Sequence, residues 1–317
     1  MENSETPRKK HPKAYENLDF LNSPVARTIR VECEMTEPFY RLYPYGIKKT
    51  IVMFGSARTP SRADAEENLA RERRKVAELP IPDAEKKARL AVAEMALKNS
   101  RYYEDARMLA RDLTRWSMER FPKKEDGFYI CSGGGPGIME AANRGAHEAG
   151  GKSLGLGIHL PFEQKTNPYV SPEFDFEFRY FFIRKYWFLY LAHVLIAFPG
   201  GFGTMDELFE MLTLVQTGKS GKRVPIILYG KDFWQRIINF DLFRELGYIS
   251  AGDLNIFSFC DSVGEARELI IRKIAESDIL VDKKVADEDG LQPHHLDPRC
   301  SRGFVKQKSG GGKNPAS

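Results

Sequence analysis

The hydrophobic positions of this chain change period along its length, and each change marks an element. The first continuous apolar run, Lys49-Thr-Ile-Val-Met-Phe54, is closed by Gly55-Ser56. A run of that length without alternation predicts a parallel strand covered on both faces. Tyr102, Ala106, Leu109, Leu113 and Trp116 then recur at spacings of three and four, the buried stripe of a helix over 101–120. From there runs and stripes alternate. Strands are predicted at 128–131, 153–160, 193–198, 224–229 and 255–260. Helices are predicted at 137–149, 179–191, 204–217, 233–246 and 263–275. Repeated βα units define an α/β fold, a single doubly wound, Rossmann-like parallel sheet with helices on both faces. Such sheets bind ligands at the carboxyl ends of their strands.

Three segments fall outside this rhythm. Residues 1–46 hold Pro7, Pro12, Pro24, Pro38 and Pro44, which predict an irregular N-terminal arm. Residues 62–100 are rich in Ala, Glu, Lys and Arg, and Pro80 and Pro82 divide them. That composition predicts a solvated helical insertion ahead of the first core helix. Residues 281–317 are charged, end in Ser309-Gly-Gly-Gly-Lys313, and predict a disordered tail. The folded domain is then expected over 47–280, and no internal repeat is visible.

Bulk properties narrow the function classes. The 317 residues are 42% hydrophobic, enough for a sizeable core. With 48 basic and 44 acidic residues the net charge is +4. That balance argues against a dedicated nucleic-acid binder, which shows a clustered basic face. Cys33, Cys131, Cys260 and Cys300 form no C-x-x-C pair, so free thiols are expected rather than a metal site or disulfides. The first twenty residues lack an apolar signal core. Apolar runs such as Val194 to Phe198 are far below the roughly 18 residues a membrane span needs. A cytoplasmic protein with no membrane partner is expected.

Two glycine-rich turns carry the chemistry. The first is Ser132-Gly133-Gly134-Gly135-Pro136-Gly137-Ile138-Met139-Glu140, with Pro136 placed to open a helix. The second is Pro199-Gly200-Gly201-Phe202-Gly203-Thr204. Each is expected between a strand and a helix, where glycines let backbone N–H groups approach an anion and the helix dipole favours it. No G-x-x-x-x-G-K-[ST] and no G-x-G-x-x-G is present, which disfavours a P-loop and a dinucleotide fingerprint. Two roles are open for Glu207. Thr204-x-x-Glu207 is a capping box by spacing, yet a carboxylate beside a phosphate nest also lies within reach of a bound sugar. Arg184-Lys185 sits inside the apolar run Tyr180 to Phe188. It is either a snorkelling pair or a guanidinium aimed into the cleft, able to hold an anion bidentately.

These segments together resemble a known family. Gly133-Gly-Gly-Pro-Gly-Ile-Met-Glu140, Arg184-Lys185 and Pro199-Gly-Gly-Phe-Gly-Thr-Met-Asp-Glu207 look like the LOG (Lonely Guy) family of cytokinin riboside 5′-monophosphate phosphoribohydrolases. Val52-Met-Phe-Gly-Ser-Ala-Arg58 and Tyr180 to Lys185 look like its longer bacterial branch. The resemblance covers about 48–275. It implies hydrolysis of the N-glycosidic bond of a nucleoside 5′-monophosphate, AMP or an N6-substituted AMP, to free base and ribose 5-phosphate. By the same resemblance Arg184 and Glu207 match the catalytic pair. Gly200, Gly201, Gly203 and Thr204 match the phosphate loop, with Lys185 beside it. Ser56, Gly134 and Met139 match positions lining the nucleotide pocket. A homodimer or larger homo-oligomer is implied, with no cofactor and no metal. A non-catalytic nucleotide- or molybdenum-cofactor-binding protein of the same fold is the alternative. The family's older name, lysine decarboxylase-like, finds no support, because no lysine is marked for a Schiff base with pyridoxal phosphate.

Overall fold

The computed structural model describes residues 11–160 and 166–281. The chain opens with α1 (Leu18–Asn22) and α2 (Arg27–Leu42), then enters the sheet at β1 (Lys49–Phe54). Helices α3 (Arg62–Glu78), α4 (Asp83–Asn99) and α5 (Arg101–Arg120) follow, with Pro80 and Pro82 between the first two. Next come β2 (Phe128–Ser132), α6 (Ile138–Glu148), β3 (Ser153–Ile158) and β4 (Asp175–Phe178). Then α7 (Phe181–Leu191), β5 (Ala192–Ala197), α8 (Phe202–Gln216) and β6 (Ile226–Tyr229). The last elements are α9 (Lys231–Ile237), α10 (Phe240–Glu245), β7 (Phe257–Cys260) and α11 (Val263–Val281).

The strands form one sheet in the order β4-β3-β2-β1-β5-β6-β7, and every pairing is parallel. This is the doubly wound α/β architecture expected from the alternating runs. Side chains of β1 show why its apolar run is continuous. Ile51 and Met53 enter a core with α5, α6 and α11, while Val52 and Phe54 enter a second core with α7, α8 and α9. The order reverses at β1, which has β2 on one side and β5 on the other. The crevice for ligands in such a sheet lies beyond the carboxyl ends of the strands at that reversal.

The structure departs from the pattern in four places. Residues 18–45 of the arm are largely helical rather than irregular. Pro24 opens a 3-10 turn, where its missing N–H costs nothing, and Pro38 lies inside α2. A proline within a helix leaves the carbonyl four residues earlier without its donor. Here that carbonyl is Glu34 O, and the indole Nε1–H of Trp187 on α7 donates to it at 3.0 Å. The interruption is thus repaired by a tertiary bond. Second, β4 was not anticipated, although Phe174, Phe176 and Phe178 alternate with Asp175 and Glu177 as an edge strand should. Third, the expected helix over 233–246 is two helices, because Asn239 caps the second through Leu242 N–H at 3.1 Å. Fourth, β3 stops at Ile158 rather than Leu160. The disorder expected over 281–317 falls outside the described residues, apart from Val281 at the end of α11. Among the described residues no helix is long and apolar enough to cross a membrane.

Trp187→Phe should cost about 1–3 kcal/mol by orphaning Glu34 O. In a Pro38→Ala background residue 38 regains an N–H, so the same change should cost less. Urea denaturation of the four proteins measures this, and equal costs in both backgrounds would disprove the repair.

Candidate functional site

Three turns meet where the sheet reverses. The turn after β1 runs through Gly55 and Ser56, the turn after β2 through 133–137, and the turn after β5 through 199–201. They are bonded backbone to backbone. Phe198 N–H donates to Phe54 O at 2.8 Å, Ser56 N–H to Pro199 O at 3.0 Å, and Ile138 N–H to Ser56 O at 3.1 Å. Gly137 has φ +70°, and a Cβ there would collide with Ser56 O. Gly137, not Pro136, therefore stands at the head of α6, which begins at Ile138.

Ser56, Gly134 and Met139 are brought to this junction. Ser56 Oγ accepts Arg58 N–H at 3.0 Å and so shapes its own turn. Met139 Sδ lies against Gly133. Gly134 is buried, and its carbonyl accepts from both the backbone N–H and the side-chain Nδ2 of Asn167, at 2.7 and 3.0 Å. Asn167 also reaches Gly135 O and Asn143 Oδ1. Asn143 in turn binds Ser132, Ser153 and Leu154 O. This buried network fixes the first glycine turn, and sequence reading missed it. Asn167-Pro168 is an ordinary loop signal, and nothing local marks its partners.

The second turn opens α8. Gly201 is its N-cap, and no side chain caps the helix. Its first N–H groups are accordingly left for solvent or a ligand. Around Gly201 and Gly203 an added Cβ would meet nothing within 4 Å, whereas on Gly200 it would strike Thr204 Oγ1. Gly200 is thus demanded by internal packing, while Gly201 and Gly203 border open space. The capping box is not formed. The helix starts at Phe202, so Thr204 is already inside it and is buried beside Gly200. Glu207 turns inward instead.

Glu207 is 6% exposed and pairs with Arg184 of α7, Nη2 to Oε1 at 3.3 Å. The guanidinium lies 5.1 Å from the Phe181 ring centre and 5.7 Å from that of Phe188. Arg184 is not snorkelling. Its Nε is buried with no hydrogen-bond partner among the described residues. Burial pushes the Glu207 carboxyl up to about 7; Arg184 and Lys185 pull it down, and Glu210 and Asp206 add to the rise. Burial likewise lowers Arg184 from its ordinary value, against the pull of Glu207 and Asp206. Lys185 is committed to α8, pairing with Asp206 at 2.7 Å and Glu210 at 2.9 Å. Three ion pairs therefore tie α7 to the first turns of α8. No group of three or more His, Cys, Asp or Glu among the described residues gathers as metal ligands would.

Fold and site together define a doubly wound α/β protein with an uncapped, glycine-bordered helix N-terminus and a buried Arg–Glu pair beside its sheet reversal. Comparison with known proteins shows what the chain is similar to. The family described as "Possible lysine decarboxylase" matches residues 139–270. The probable cytokinin riboside 5′-monophosphate phosphoribohydrolase LOG4 of Oryza sativa subsp. japonica is 26% identical over 184 residues, 57% of this chain and 76% of that protein. The cytokinin riboside 5′-monophosphate phosphoribohydrolase LOG5 of Arabidopsis thaliana is 28% identical over 147 residues, 44% of this chain and 60% of that protein. The chain is thus similar to LOG-family proteins over part of its length, in keeping with its motifs. Among solved structures, the structural-genomics target TM1055 covers 71% of this chain and 99% of its own, at 20% identity and TM-score 0.41. The molybdenum cofactor binding protein of Rippkaea orientalis covers 55% and 88%, at 22% identity and TM-score 0.38.

The raised Glu207 carboxyl sets a pH dependence of stability. Unfolded, it titrates near 4.5; folded, near about 7. Below 4.5 both states hold the proton. Between the two values only the folded state does, so the favourable contribution is lost as pH rises through about 7. Glu207→Gln should flatten this fall, whatever its own stability, since it also leaves Arg184 without a counter-charge. Urea midpoints from pH 4.5 to 8 measure the slope, and an unchanged slope would rule out a protonatable Glu207.

Proposed function

We propose that this site hydrolyses the N-glycosidic bond of a nucleoside 5′-monophosphate, AMP or an N6-substituted AMP, releasing free base and ribose 5-phosphate. The observation that carries the reading is the buried Arg184–Glu207 pair lying beneath the uncapped start of α8. The 5′-phosphate sits over the N–H groups that open α8, where Gly201 and Gly203 leave room and the dipole is favourable. Thr204 and Gly200 hold that loop in shape. Ser56, Gly134 and Met139 line the nucleotide side. The sugar then lies toward Glu207. As the C1′–N bond lengthens, positive charge develops on the ring, as in other glycosidic cleavages, and a carboxylate stabilises it. Glu207 takes a proton from water as the water oxygen bonds C1′. The electrons of the broken bond leave with the base, and the proton taken up by Glu207 passes to it, which restores the carboxylate. Arg184 keeps Glu207 oriented and balances its charge. A base near the working pH is best placed for such transfer. The names of the rice and Arabidopsis relatives support the substrate class.

Incubation with AMP and isopentenyl-AMP should release free base, followed by chromatography. Activity should climb with pH through about 7 as Glu207 ionises. Glu207→Gln should lose on the order of 10²-fold or more, and Arg184→Ala should also lose turnover. Binding of monophosphates without base release would turn the protein into a nucleotide-binding module of the same fold.

The same reading includes a homodimer. Phe202 is 97% exposed, and with Met205 and Phe209 it lines an open groove of about 600 Å³ along α8. We place a second copy there. Sedimentation velocity should show a dimer that Phe202→Ser with Phe209→Ser weakens; an intact dimer in that variant would move the interface elsewhere.

A further inference from the structure

α7 carries Arg184 but does not cap itself. Its N-cap is Tyr180, which makes no side-chain cap. The carboxylate that holds the chain entering it comes from α2. Glu34 Oε1 accepts Arg179 N–H at 3.0 Å, and Oε2 accepts Tyr180 N–H at 3.2 Å. Tyr180 O then accepts the backbone N–H of Arg184 at 3.2 Å. One residue therefore links the Glu34 carboxylate to the Arg184 backbone. The same stretch of α2 is fastened twice more. Glu34 O accepts Trp187 Nε1–H, and Phe39 packs edge-on against Trp187 with ring centres 4.4 Å apart. Arg41 donates to Glu173 O and Asp175 O beside β4. Along α2, Glu34 falls among Val31, Met35, Pro38 and Phe39, which pack on or line the core. A carboxylate on that stripe matches the positive end of α7 and binds the two N–H groups that lead into it.

We propose that Glu34 is a positioning residue for Arg184: through Tyr180 it sets the start of α7, and so the N-terminal helix forms part of the machinery of the site. The inference rests on the reading of Arg184 and Glu207 given above. Glu34 touches neither of them. It acts by fixing the first turn of α7, from which the guanidinium reaches across to α8. Loosening that turn should weaken the hold of Arg184 on Glu207. The other charged groups facing Glu207 are Lys185 from α7 and Asp206 and Glu210 from α8. Only Lys185 would move with Arg184, and both are cations, so the carboxyl should titrate higher.

The test reads the Glu207 carboxyl directly by carbon-13 NMR titration, assigned against Glu207→Gln, together with base release. Glu34→Ala should raise the Glu207 midpoint by about 0.5 unit or more. It should lower kcat about tenfold or more, and carry the acid limb of the pH–rate profile upward. Glu34→Gln keeps one carbonyl oxygen as an acceptor and should fall between. It also decides the matter should Glu34→Ala not fold. A midpoint and kcat unchanged in the folded variants, even with a lower melting temperature, would reduce Glu34 to a structural clamp and overturn the proposal. If the unaltered protein releases no base from any monophosphate, the hydrolase reading fails, and the Glu207 titration alone still decides whether Glu34 positions Arg184.

Discussion

A carboxylate buried as deeply as Glu207 is tolerated only with compensation, and most of the site follows from how that compensation is arranged. Arg184 supplies the counter-charge, itself drawn down by burial. Desolvating both ions costs several kcal/mol each, which their attraction offsets only in good geometry. That geometry depends on α7 and α8 keeping a fixed relation, and Lys185 with Asp206 and Glu210 holds it at the rim. At 3.3 Å, with Arg184 Nε unpartnered, the pair is not fully satisfied. A pair built for stability would close both arms of the fork on the carboxylate. Here one donor is left without a partner among the described residues, and burial holds the carboxyl near about 7.

Much of the fold could be read from the chain because parallel strands buried on both faces leave continuous apolar runs. β1 and β5 are such runs, and the helices between them carry their own stripes. The edge of the sheet was harder. β4 alternates polar and apolar residues, as a half-exposed strand must, and its four residues are short enough to pass for loop. Asn239 ended a helix that its apolar spacing would have continued, since a side chain that caps satisfies N–H groups more cheaply than another turn of helix does.

The residues that gather at the sheet reversal could be read from the chain, and their arrangement could not. Spacing alone cast Thr204 and Glu207 as a capping box. The decisive fact is that Gly201 already occupies the cap, which advances the helix by three residues and carries Glu207 into the interior. Arg184 in an apolar helix admitted two orientations, and only the position of α8 chooses between them. The Asn143–Asn167 network and the bonds from Glu34 to the start of α7 were invisible for a simpler reason. Each joins residues far apart in sequence, by 24 and by about 145 positions, and no local period encodes such a pairing.

The arm makes the same point about prolines. Five of them in 46 residues read as an irregular arm because each removes a backbone donor. The structure shows that a missing donor is an instruction as well as a defect. Pro38 frees Glu34 O, Trp187 takes it, and the carboxylate of the same Glu34 meets the start of the same helix. Backbone and side chain of one residue thus grip α7 at two points a turn or two apart. A helix held at its first turn and again at Trp187 has little freedom to rotate, and Arg184 lies between those two points. Its aim is therefore set by a segment that the alternating βα pattern does not include.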